Sequence, residues 1–194
     1  IFSPDGRWVA TESDDDDVRI WETSTGQLRS KMVGHTSTIY DFAFSPDGRV
    51  VVTGSRDRTA IMWDTTTGRV KHRLDGFDGR VPRVAFSADG KLLAAKGGYN
   101  NHVVKIWDVS TAELLFTLPL PGEKDDVEEI AFSPDGPELI TSSDKTVLLW
   151  NTKNGQLVAT LEDSRTPTVF SPDGTRIATR GRNNTAVLWD VPLQ

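Results

Sequence analysis

Phe-Ser-Pro-Asp-Gly returns four times in a chain of 194 residues, at Phe2 to Gly6, Phe44 to Gly48, Phe132 to Gly136 and Phe170 to Gly174, with one variant, Phe86-Ser87-Ala88-Asp89-Gly90. A fixed period constrains the fold more than any local propensity, because every unit must adopt the same structure and bury its faces against its own copies. The motif phenylalanines step by 42, 42, 46 and 38 residues. A second landmark, Trp followed by a polar acceptor, recurs at Trp21-Glu22, Trp63-Asp64, Trp107-Asp108, Trp150-Asn151 and Trp189-Asp190, so five of the six tryptophans mark the period. From motif Phe to motif Trp the spacing is 19, 19, 21, 18 and 19 residues, which puts insertions into loops between constant elements.

Within the second unit, Ile39 to Phe44, Arg49 to Thr53, Thr59 to Trp63 and Arg69 to Leu74 are short β-branched or aromatic runs separated by turn residues, which predicts four strands. Ser-Pro-Asp-Gly makes the first turn: Pro presets its backbone angle, Asp bonds its own backbone, and Gly takes the left-handed position. Asp57-Arg58-Thr59 and Asp144-Lys145-Thr146 mark the second turn, and Thr25-Gly26, Thr67-Gly68 and Asn154-Gly155 the third. Four short strands cannot bury two sheet faces alone, so each unit must stack on its neighbours, which is the logic of a β-propeller. The expected fold class is all-β, with four-stranded antiparallel units at 1–33, 34–75, 76–121, 122–161 and 162–194, about 4.6 repeats in all, and no second domain.

Composition removes several chemistries. Cysteine is absent, so there is no disulfide framework, no thiolate metal site and no cysteine nucleophile. A net charge of −6 argues against nucleic acid or an anionic membrane as the main partner, and no apolar run reaches the roughly 20 residues of a membrane helix. Lack of cysteine fits a reduced cytoplasm without requiring one, and a cytoplasmic location is the expectation. The first and fifth units are expected to be incomplete and the chain to be an arc of a longer propeller. As a lone arc it would expose apolar sheet faces at both ends and self-associate.

The residues that carry the repeat resemble the WD-repeat β-propeller family. The best unit reads Gly34-His35, then Phe44-Ser45-Pro46-Asp47-Gly48, then Thr53-Gly54-Ser55-Arg56-Asp57-Arg58-Thr59, then Trp63-Asp64. The resemblance implies a structural network of His, Ser or Thr, Asp and Trp in each blade. Only the second blade holds it whole, as His35, Thr53, Asp57 and Trp63. The first keeps Thr11, Asp15 and Trp21; the third keeps Trp107, with Phe77 and Ala95 at the His and Thr positions; the fourth keeps Thr141, Asp144 and Trp150; the fifth keeps Thr179 and Trp189. Blades three and five are therefore expected to be less stable.

The same resemblance implies a partner-binding face on the side of the strand b–c turns and d–a loops. Mapped onto this chain it comprises Thr38, Tyr40, Arg56, Arg58, Arg80, Asp126, Glu128 and Arg182, with Ser143 and Ser164 beside them. Its charge runs in sectors, acidic in blade one, basic through Arg56, Arg58 and Arg80, then acidic again. Tyr40 beside the arginines is the expected hot spot.

Catalytic readings fail on the residues. His35, Asp57 and Thr53 have the composition of a triad, but they form the blade's own network and nothing supplies an oxyanion site. Asp14-Asp15-Asp16-Asp17 invites a calcium reading, yet the run lacks the Gly and Glu of a calcium-binding loop and sits in a turn. The glycines occupy turns and never open a helix, so no phosphate cradle is expected. No catalytic residue, metal or cofactor is assigned. The expected function is a non-catalytic scaffold that binds a protein or peptide within a regulatory or signalling protein. Two other readings are a substrate-gating propeller attached to an enzymatic domain outside this chain, and an oligonucleotide binder, which the net charge disfavours.

Overall fold

The structure, a computed structural model, describes residues 1–13, 15–98, 103–120, 128–143, 145–182 and 185–192. Its strands assemble into five antiparallel sheets, each a meander of sequence-adjacent strands. The first sheet holds β1 (Trp8–Ser13), β2 (Asp17–Glu22) and β3 (Leu28–Met32), and the second holds β4 (Ile39–Phe44), β5 (Val50–Ser55), β6 (Ala60–Asp64) and β7 (Val70–Leu74). The third holds β8 (Arg83–Phe86), β9 (Leu92–Gly97), β10 (Val103–Asp108) and β11 (Leu114–Pro119). The fourth holds β12 (Glu129–Phe132), β13 (Glu138–Ser142), β14 (Val147–Asn151) and β15 (Gln156–Leu161), and the fifth holds β16 (Arg165–Phe170), β17 (Arg176–Arg180) and β18 (Ala186–Asp190). This is a partial β-propeller. Ahead of the first sheet, a bridge from Phe2 to Val9 stands where β4 stands in the second.

Successive side chains of a strand point to opposite faces, and here both faces are covered. In β5 and β6, Val51, Ile61 and Trp63 pack with Ala10, Val18, Ile20 and Met32 of the first sheet. Their alternates Val50, Val52, Ala60 and Met62 pack with Val81, Val84, Leu93 and Trp107 of the third. The pattern repeats at the next junctions, through Ala94, Val104 and Ile106 against Leu139, Leu148 and Trp150, and through Ile140, Val147 and Leu149 against Ile177. Every repeat Trp from the second sheet onward thus faces the preceding sheet. This explains why the middle strands read as continuous apolar runs rather than alternating ones. At the far end Leu188, in the register of Met62, Ile106 and Leu149, is 67% exposed.

Turn chemistry follows the repeat except in blades three and four. Gly6, Gly48, Gly90 and Gly174 have φ of 69°, 69°, 72° and 69°, as the Ser-Pro-Asp-Gly reading requires. In the fourth sheet the turn runs Gly136-Pro137, and Gly136 is not left-handed. Elsewhere the Asp carboxylate accepts the amide two residues on, from Arg7, Arg49, Lys91 and Thr175 at 3.0 to 3.1 Å. Pro137 has no such amide to give. The third turn of blade three uses Ala112, at φ 58°, where the others use glycine. In the second unit β5, β6 and β7 each begin one residue later than the sequence reading, at Val50, Ala60 and Val70.

Candidate functional site

The second blade joins its d–a side to its b–c turn through a buried chain of polar contacts. His35 precedes β4, Thr53 lies in β5, Asp57 in the following turn and Trp63 in β6. Trp63 Nε1–H donates to Thr53 Oγ1 at 2.8 Å, and Thr53 Oγ1 lies 2.6 Å from His35 Nε2. On the other side of the ring, His35 Nδ1 lies 2.8 Å from the Asp57 carboxylate, which also accepts the Thr36 amide and, through its second oxygen, the Thr59 amide and hydroxyl. An ionised carboxylate only accepts, so Nδ1 carries the proton, Nε2 accepts, and the Thr53 hydroxyl donates to it. Burial holds the His35 pKa below its ordinary value despite the neighbouring Asp57 carboxylate. For Asp57, burial pushes the pKa up but is outweighed by the bonds from His35, Thr59 and Thr36, so it lies below the usual range. The His35 side chain is wholly covered and Thr53 is fully buried, so this run of contacts is a brace between loops.

The other blades hold abridged versions. Trp21 Nε1 donates to Thr11 at 2.8 Å, Trp150 to Thr141 at 3.0 Å and Trp189 to Thr179 at 3.1 Å. Asp15 engages Arg19 at 2.8 Å and Lys31 at 3.0 Å, and the Lys31 ammonium foremost lowers its pKa to about 2. In blade three Phe77 occupies the His position and packs on Trp107 at 5.6 Å between ring centroids. A Cβ at Gly97 would overlap the Phe77 ring, so glycine there makes room for it. In blade five Ser164 Oγ meets Thr179 Oγ1 at 3.0 Å, taking up the contact that His35 makes in blade two. Blades three and five therefore fill the His position with contacts of their own. Asp144 lies outside the described residues, as do Asp14, His102 and Asp126.

Thr38 and Arg56 meet within blade two, and Tyr40 of that blade meets Arg80 of blade three. The Arg56 amide donates to the Thr38 carbonyl at 2.8 Å, and Arg58 sits in the turn at φ 72°. The Arg80 guanidinium lies 5.7 Å from the Tyr40 ring centroid, a cation–π contact across the blade junction. Tyr40 keeps 37% of its surface exposed. Glu128 accepts the Thr166 hydroxyl at 2.7 Å, and Arg182 pairs with Asp163. Ser143 and Ser164 are buried, so neither presents a side chain to a partner. Their hydroxyls are spent inside the b–c turn and on Thr179 respectively.

The repeat motifs gave no notice of a second row of functional side chains along the inner edge. Asp41, Arg83 and Glu129 stand three residues before the motif Phe in successive units. Asp41 accepts the Val84 amide at 3.0 Å, Arg83 Nε donates to the Glu128 carbonyl at 2.6 Å, and Glu129 accepts the Thr168 amide at 2.9 Å. Each reaches from its own inner strand to the next blade. Burial pushes the Asp41 carboxyl above its usual range. Lys96, 1% exposed, replaces the Gly54 of blade two. The signal was present as three charges at one register, but charge in an inner strand reads as solvent exposure until the neighbouring blade is in place. Among the described residues no group of three His, Asp or Glu side chains is arranged to hold a metal ion.

The family model described as WD domain, G-beta repeat matches residues 1–22, 26–64, 68–108, 112–151 and 155–190. Each match from the second onward begins at the outer strand of one sheet and ends in the third strand of the next, so the sequence repeat straddles two blades and ties them covalently. WD repeat and SOCS box-containing protein 1 of Danio rerio is 36% identical over 100 residues, covering 48% of this chain and 23% of that protein. Periodic tryptophan protein 2 homolog of Mus musculus is 30% identical over 193 residues, covering 97% of this chain and 21% of its own length. An uncharacterized WD repeat-containing protein of Synechocystis sp. is 42% identical over 65 residues, covering 31% of the chain and 19% of that protein. The chain spans less than a quarter of the length of these relatives. Repeats of this kind form protein-interaction scaffolds, and the chain belongs to the WD-repeat family.

Proposed function

We propose that the chain holds a protein or peptide partner on the face carrying its b–c turns and d–a loops, as a non-catalytic scaffold of a regulatory protein. The observation that carries this reading is the Tyr40–Arg80 pair at 5.7 Å, spanning two blades with Arg56 and Arg58 beside it. An exposed aromatic held by a guanidinium is preorganised: little side-chain entropy remains to be lost when a partner covers it. The arginines favour an acidic partner segment and set its orientation. His35 and Thr53 are covered from solvent, with no face left to meet a substrate, which supports scaffolding over catalysis.

Affinity capture with the unaltered chain and with Tyr40→Ala/Arg80→Glu, side by side, tests the reading. The variant is expected to lose the captured partner while keeping its far-ultraviolet circular dichroism. Equal capture by a folded double variant overturns the assignment of this face.

A further inference from the structure

We infer that the chain modifies itself at two aspartates, Asp75 and Asp135, whose side chains close onto the following glycine and reopen as isoaspartate. The repeat brings with it the dipeptide most prone to this reaction: Asp-Gly occurs seven times, at Asp5, Asp47, Asp75, Asp78, Asp89, Asp135 and Asp173. Glycine favours the reaction because no Cβ shields its amide nitrogen. That nitrogen attacks the carboxyl carbon of the preceding aspartic acid. A C–N bond forms, the amide proton and the carboxyl hydroxyl leave as water, and a five-membered succinimide results. Solvent water then adds to one of its two carbonyls. Opening at the side-chain carbonyl restores aspartate, whereas opening at the main-chain carbonyl leaves the backbone running through Cβ and Cγ, longer by one carbon and unchanged in composition.

Exposure does not choose among the seven aspartates, since all are exposed. What differs is whether the carboxyl is free to turn onto its own glycine. At Asp5, Asp47, Asp89 and Asp173 the motif serine donates to the carboxylate at 2.5 to 2.7 Å, and the amide two residues on donates to the same oxygen at 3.0 to 3.1 Å. The glycine amide is held as well, donating to the serine carbonyl at 2.8 to 2.9 Å. These bonds also keep the carboxyls ionised, the form that resists attack: the serine hydroxyl at Asp5, Asp47 and Asp173, and the Lys91 amide at Asp89, foremost hold their pKa below the ordinary value. Asp78 has a partner too. Asn154-Gly155, which could close the same ring with loss of ammonia, is pinned by the Gln156 amide on Asn154 Oδ1 at 3.0 Å and by the Gly155 amide on the Asn151 carbonyl at 2.8 Å.

The two remaining steps escape this restraint for different reasons. Pro137 has no amide to give Asp135, and Ser133 Oγ accepts the Gly136 amide at 3.1 Å instead of donating to the aspartate, so the Asp135 carboxylate accepts no hydrogen bond among the described residues. Asp75 lies beyond the end of β7, outside any repeat turn, and its carboxylate likewise accepts no hydrogen bond among the described residues. There the added carbon would enter the d–a loop two residues before Phe77, whose ring packs on Trp107.

Ageing the full chain in mildly acidic buffer, followed by acid proteolysis and electron-transfer fragmentation, which distinguishes isoaspartate from aspartate, tests this. Isoaspartate should accumulate at Asp75 and Asp135. At Asp5, Asp47, Asp89 and Asp173 it should form at least about tenfold more slowly, because two hydrogen bonds must break first. In concentrated urea, where the turns are lost, the seven rates should converge. Pro137→Arg restores the amide of the sibling turns and should bring Asp135 down to their rate while leaving Asp75 unchanged. Should that variant fail to fold, the native chain against the urea sample still decides. Isoaspartate distributed in the native chain as it is in urea, none at Asp75 and Asp135, or undiminished conversion of Asp135 in folded Pro137→Arg overturns the proposal.

Discussion

Thr53→Val separates a polar brace from simple packing, because the substitution keeps the side chain's volume and removes only its hydroxyl. Thr53 is fully buried, Trp63 is 1% exposed, and the His35 side chain is wholly covered. Losing Oγ1 strips the Trp63 indole N–H of its acceptor and His35 Nε2 of its donor, with no water at hand to replace either. A buried polar group left unpaired costs about 1–3 kcal/mol, so the two together should cost about 2–6 kcal/mol. That is a large share of the about 5–15 kcal/mol that separates a domain from its unfolded chain.

The chain supplies its own controls, since the same Trp-to-Thr bond recurs at different depths. Thr141→Val orphans one buried donor, Trp150 Nε1, and should cost about 1–2 kcal/mol. Thr11→Val breaks an exposed bond that water replaces, and should cost under about 0.5 kcal/mol. Hydrogen exchange followed by mass spectrometry on peptides covering β5–β6, β13–β14 and β1–β2 reads each blade separately and needs no two-state assumption. Equal losses at the three sites, or a Thr53→Val chain with unchanged protection in β6, would refute the reasoning, because burial would then not set the cost.

Glu138, 5% exposed in the position of Val50 and Leu92, has its carboxyl pushed up by burial. An acid whose folded pKa lies above its unfolded value weakens the fold as pH rises through that window, so Glu138→Val should raise stability at pH 7 by about 1 kcal/mol and have no such effect at pH 4, measured by urea titration. His35 has the opposite sign: its pKa is lowered in the fold, so its contribution is complete above about 6.5 and is lost as pH falls, a slope that His35→Phe should remove from a pH series of melting temperatures. Asp41→Ala should cost about 1–2 kcal/mol by leaving the Val84 amide unpaired, seen as faster exchange in β8 with β9 unchanged. Leu188, 67% exposed, offers an apolar contact to a second copy, so sedimentation equilibrium is expected to show a concentration-dependent association that Leu188→Lys weakens; an unchanged result for the variant would refute a role for this face.

The repeat made the fold legible because its landmarks are physically obligatory. Trp63, Trp107 and Trp150 are the largest pieces of each junction core, and the turn glycines have backbone angles that other residues adopt at a cost. The His35 network was legible for a related reason: its His and Trp are scarce, and its four residues are mutually complementary and fixed in spacing. Asp41, Arg83 and Glu129 escaped notice because each acts on the following blade, and a motif scanned within one unit has no term for a bond to the next. Phe77 and Ser164 answer the missing histidine differently, one with ring packing on Trp107 and the other with a hydroxyl on Thr179, and neither is found by a search for His.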